Sequence, residues 1–131
     1  MQLHAALTFL TAASLAIAAN AQTSTTCRFE PFSGATLPQG AVAQMTVANT
    51  GAPCAITNYG VPAERQNPAD SGSITSAAVH GSAAFTPPQA TYTPQPGFVG
   101  DDEFAYMAFA KGRNGQQITL RVRVVVKVMA P

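Results

Sequence analysis

From Ile118 to Val128 apolar and polar residues take turns. Ile118, Leu120, Val122, Val124, Val126 and Val128 alternate with Thr119, Arg121, Arg123 and Lys127, and only Val125 is out of step. A period of two puts alternate side chains on opposite faces, so this segment predicts a long last β-strand with one buried face. Arg121, Arg123 and Lys127 read as gatekeepers against edge-to-edge pairing of so β-prone a segment. GAVAQMTVANTGAPC repeats the pattern, with Ala43, Met45 and Val47 on one side and Gln44 and Thr46 on the other, until Asn49-Thr50-Gly51 and Pro53 end it. Shorter strands are predicted at Cys27 to Phe29, Ala55 to Thr57 and Gly72 to Ala78. A hairpin turning at Pro87-Pro88-Gln89 joins Phe85 to Tyr92. In DEFAYMAF, Phe104 and Tyr106 face one way and Met107 and Phe109 the other. KGRNGQ is a hairpin loop in which Asn114-Gly115 suits positive backbone dihedrals.

No stretch reads as a helix, and about seven short, one-sided strands must bury their apolar faces against a second layer. The predicted class is all-β, a two-sheet antiparallel sandwich. The stretch YTPQPGFVGDDEFAY is a bend first. Pro94 and Pro96 cannot donate to a ladder, Gly97 and Gly100 permit a reversal, and Phe98 can plug the end of the core. Asp102 is suited to accept backbone N–H groups and fix the corner.

The N-terminus changes the picture of where this sandwich works. An apolar run from about Ala5 to Ala19 leads to Ala19-Asn20-Ala21, a small-x-small cleavage pattern, so residues 1–21 read as a cleaved secretory signal peptide. The run is too short to span a bilayer, and no later segment is long and apolar enough to try. Residues 22–131, 110 in number, are expected to form a single domain. All seven Lys+Arg and all six Asp+Glu lie in this part, giving 7 − 6 = +1. So sparse and balanced a charge suits neither a nucleic-acid backbone nor an anionic membrane surface. In an exported chain the isolated pair Cys27 and Cys54 is most simply a disulfide. Closing that loop stabilises by about 3.6 kcal/mol on the chain-entropy model. Secretion to the medium or residence in a periplasm is the predicted location.

HGSAAFTPPQATYTPQPGFVGDDEFAYMAF, followed by the alternating last strand, resembles the bacterial immunoglobulin-like repeat family related to cadherin-like domains. The family pattern, HG, a hairpin, then Y-x-P-x-x-G-F-x-G-x-D-x-F-x-Y, falls on His80, Gly81, Tyr92, Pro94, Gly97, Phe98, Gly100, Asp102, Phe104 and Tyr106. The resemblance covers roughly residues 80–128, 49 of the 110. It implies an immunoglobulin-like sandwich, a fold whose relatives are typically strung in tandem in large surface proteins. A chain with one such domain, ending at Pro131, is expected instead to be a small partner-binding or envelope-associated protein.

Candidate chemistry is weighed against that background. Calcium is the sharpest metal reading of Asp101, Asp102 and Glu103, but neighbouring strand residues point to opposite faces and cannot all converge on one ion. Where the family often carries an acid after the aromatic strand, this chain has Ala110 and then Lys111. No other cofactor is expected. His80 is the only histidine after residue 21 and has no serine-nucleophile signature around it. The polar loops VPAERQNPAD (Glu64, Arg65, Asn67) and KGRNG (Lys111, Arg113, Asn114) are the better places for a partner, since strands hold loops where they can bind. The expected function is an exported, non-enzymatic immunoglobulin-like module for protein or envelope binding or structural support. Two readings compete: a calcium-dependent adhesion-type domain, and a small exported enzyme or metal carrier using His80. The second requires His80 near Asp101 or Asp102 in a concave pocket.

Overall fold

The computed structural model describes residues 26–131, so the proposed signal peptide lies outside the described residues. Eight strands follow one another: β1 (Cys27–Phe29), β2 (Ala41–Ala48), β3 (Cys54–Thr57), β4 (Ser71–Ser76), β5 (Gly81–Thr86), β6 (Gln89–Pro94), β7 (Gly100–Lys111) and β8 (Gln117–Met129). They form a five-stranded sheet in the order β1-β2-β8-β7-β4 and a three-stranded sheet in the order β3-β6-β5.

The period-two segments fall as their patterns require. In β2, Ala41, Ala43, Met45 and Val47 are buried; in β8, Leu120, Val122, Val124, Val126 and Val128 are. Against them Phe104 and Tyr106 of β7 meet Tyr92 of β6, whose ring lies 5.8 Å from that of Phe104 with the planes 7° apart. The two sheets thus close over one core.

Three expectations need correction. The sandwich is mixed rather than antiparallel, because β2 runs parallel to β8 from Ala41 opposite Val122 to Ala48 opposite Met129. Strands so far apart in sequence need no hairpin, and parallel pairing leaves no local signature. In addition, β8 is central, flanked by β2 and β7, so Arg121, Arg123 and Lys127 guard no edge. In the 112–116 loop only Gly115 has a positive φ, 80°; Asn114 does not.

Covalent and polar ties shut the two sides of the sandwich. Cys27 and Cys54 form a disulfide between the outer strands β1 and β3. At the opposite side Gly72 of β4 lets β5 approach. A Cβ there would lie 2.6 Å from the Phe85 ring and 2.6 Å from the Met107 carbonyl oxygen. Among the described residues no helix is long and apolar enough to cross a membrane.

Candidate functional site

β7 is 12 residues long and spans the sandwich from end to end, about 37 Å at the usual strand rise. The candidate residues fall at its two ends.

At the Lys111 end the two polar loops are one structure. Val61 N–H donates to the Lys111 carbonyl at 3.0 Å, and Arg65 Nη1 reaches the Arg113 carbonyl at 3.5 Å. Lys111 Nζ lies 3.4 Å from an Asp70 carboxylate oxygen, both side chains being half exposed. Gly60 permits the approach, since a Cβ on it would collide with the Lys111 carbonyl oxygen. Glu64 and Arg65 sit on a single 3-10 turn, Ala63–Arg65, closed by Gln66 in the left-handed region at φ 51°. Glu64, Arg65, Lys111, Arg113 and Asn114 are exposed and Asn67 is half-buried, so these candidates share one rim.

Sequence reasoning missed what anchors this rim. Asn58 is 5% exposed. Its Nδ2 donates to the Ile56 and Pro88 carbonyls, its Oδ1 accepts from the Tyr106 hydroxyl at 2.7 Å, and its carbonyl accepts from Ala69 N–H. A hydrogen-bonded amide of this kind fixes the root of the 59–70 loop. Burial pushes the Tyr106 hydroxyl pKa far above its ordinary value, against the opposing effect of the Asn58 hydrogen bond. The signal was parity: Cys54, Ile56 and Asn58 continue one inward-facing row, and a polar residue in such a row calls for buried partners.

At the Gly100 end the acids do not act together. Asp102 points inward and is 7% exposed, whereas Asp101 and Glu103 are exposed on the other face of β7. The Asp102 carboxylate accepts from Val79 N–H at 3.0 Å, His80 N–H at 2.9 Å, Glu103 N–H at 2.9 Å and the Tyr92 hydroxyl at 2.8 Å. Burial pushes this carboxyl's pKa up, but the bonds from Val79, Tyr92, Glu103 and His80 outweigh it and hold it below the ordinary carboxylate value. The Tyr92 hydroxyl is pushed far up, first by burial and then by Asp102. Glu103 pairs with Arg123 at 3.1 Å.

His80 lies beside this corner. With Val79, Asp101, Asp102, Glu103 and Val125 it lines an open cleft of about 580 Å³. Its ring stacks on Phe98, centroids 4.4 Å apart and planes 8° apart. The proximity that the enzyme reading requires is therefore present, although both Asp102 oxygens are already engaged by Val79, His80, Glu103 and Tyr92. Among the described residues no cluster of three His, Cys, Asp or Glu is arranged to hold a metal ion. No family model, no curated protein and no solved structure matches the chain.

Proposed function

We infer that this chain is an exported, non-enzymatic binding module of immunoglobulin-like type that recognises a protein or cell-envelope component through the two-loop rim at the Lys111 end of β7. One observation carries the reading. Two polar loops joined by residues 50 apart in sequence are tied backbone to backbone by Val61–Lys111 and supported from below by Asn58. Loops positioned by a rigid scaffold are where binding residues collect.

The fold-type assignment draws support from strand order. If β3 is taken as strand B, β3-β6-β5 is B-E-D and β4-β7-β8 is C-F-G, the order of immunoglobulin sheets. The N-terminal strands depart from that scheme, since β2 pairs with the last strand and carries β1 on its outer edge, and the disulfide joins β1 to β3 rather than B to F. Export draws support from the signal-like residues 1–21 and from the disulfide, which persists in oxidising compartments.

The test is capture from the envelope fraction of the exporting cell, comparing the unaltered protein with an Arg65→Ala/Arg113→Ala variant and an Asp101→Ala variant. The rim reading expects a saturable partner that the first variant loses and the second keeps. A partner retained by both would remove the rim from the account.

The cleft beside His80 supports one further reading, a metal carrier or small enzyme. Its check is a melting curve with millimolar zinc or calcium, with and without EDTA. Under the binding-module reading neither ion raises Tm, and a rise that His80→Ala abolishes would favour the alternative.

A further inference from the structure

Arg121 and Arg123 lie on a central strand, where no edge calls for charge. Both project from the outward face of β8, opposite Met107 and Ala105 of β7. The small Ala105 side chain leaves a gap beside them. Across that gap β4 carries a bulge between Ile74 and Ser76, with Ser76 opposite Ala105, and the extra residue, Thr75, lines the gap. Bulges of this sort re-aim a side chain. Gln39 forms the remaining wall. The loop that carries it is clamped to β8: Arg121 N–H donates to the Ala35 carbonyl at 2.8 Å, and a Cβ on Gly40 would lie 2.6 Å from the Arg121 carbonyl oxygen. These residues enclose a cleft of about 300 Å³ without an acid in its lining.

We propose that this cleft is a carboxylate-binding site, with the Arg121 guanidinium as its principal ligand. Arg121 has no carboxylate within ion-pair distance among the described residues, whereas Arg123 already holds Glu103 through Nη1 at 3.1 Å. One uncommitted guanidinium and one shared one match a single negative charge. The planar fork of arginine suits a carboxylate bidentately, while the Thr75 hydroxyl and the Gln39 amide supply further hydrogen-bond donors. The Ala105 and Met107 side chains form an apolar floor that fits the aliphatic stem of an organic acid or of a Glu side chain better than a hydrated phosphate dianion. The site lies on the sheet face, apart from the rim, and stands whether or not the rim binds a partner.

Amide-resolved NMR titration of the purified protein at low ionic strength tests this, with succinate, a Glu-containing neutral-capped peptide and inorganic phosphate as separate probes. The proposal expects saturable shifts centred on Ala105, Met107, Arg121 and Arg123. It also expects at least tenfold weaker binding in Arg121→Gln and a smaller loss in Thr75→Val. Tighter binding of succinate than of peptide assigns the site to free organic acids, and the reverse order assigns it to acidic side chains. Because Arg121 is exposed, Arg121→Gln should keep its Tm; should it not, Thr75→Val decides alone. Absence of saturation, equal affinity in the tested variants, or phosphate binding tighter than both carboxylates would overturn the proposal.

Discussion

At the Gly100 end of β7 both oxygens of a buried carboxylate are taken by Val79, His80, Glu103 and Tyr92, and the disulfide lies in the same cross-sheet row, Cys27 opposite Val47 and Val128 opposite Gly100. At the Lys111 end the buried polar work is done by Asn58, Gly60 and backbone amides, so that Arg65, Lys111, Arg113 and Asn114 stay exposed above it. The corner sets three consecutive acids, Asp101, Asp102 and Glu103, beside His80 and would attract first notice as a site. Yet its central acid is buried and consumed by the fold, whereas the rim's charged side chains stay exposed, Lys111 beside Asp70 and Arg65 against the Arg113 carbonyl, with Glu64 and the Arg113 guanidinium outside any ion pair among the described residues. Surplus polar groups on a fixed frame are the better indicator of recognition.

Removing the disulfide should separate the two ends most widely. Cys27→Ser with Cys54→Ser is expected to lose about 3.6 kcal/mol, the loop-closure value, measured by denaturant unfolding. Next comes Asp102→Asn, expected to cost about 3 kcal/mol because charge-assisted bonds to three amides and a hydroxyl are weakened together. Its pH dependence sharpens the comparison. Asp102 is held below its ordinary pKa, so its contribution is complete above the unfolded value, about 3.9, and is lost as pH falls below that. The variant should lack this part of the acid limb. Tyr92 and Tyr106 are shifted the other way, so their contribution is complete below about pH 10 and is lost as pH rises beyond it.

At the other end Gly60→Ala forces a methyl group against the Lys111 carbonyl and should cost about 2 kcal/mol. Hydrogen exchange should then rise at Val61 while the Asp102 corner stays protected. The smallest effect on stability belongs to Arg65→Ala with Arg113→Ala, within about 0.5 kcal/mol of the unaltered protein. A large loss there would make the rim a stabilising element and erase the contrast.

Much of the frame was legible because period-two burial is a local pattern. Val124, Val126 and Val128 could face only one way, and Asp102 beside two glycines marked a corner. The parallel β2–β8 pair was not legible, since nothing in either strand names a partner some 80 residues away. For the same reason the sequence alone makes Arg121 and Arg123 read as edge guards, although β8 is central. Polar composition makes the 58–70 segment read as exposed, yet Asn58, Gly60 and Ala69 in it are buried. Its contact with the 111–116 loop depends on tertiary packing that no spacing encodes. The Thr75 bulge likewise arises from the β4–β7 register and not from its own sequence.

Site-specific photocrosslinking in the source cell tests the central claim most directly, with the probe placed in turn at Arg113, at Asp101 and at Thr91 on the uncharged three-stranded face. The account predicts a discrete adduct from Arg113 alone. Adducts from Asp101 or Thr91 without one from Arg113 would contradict it.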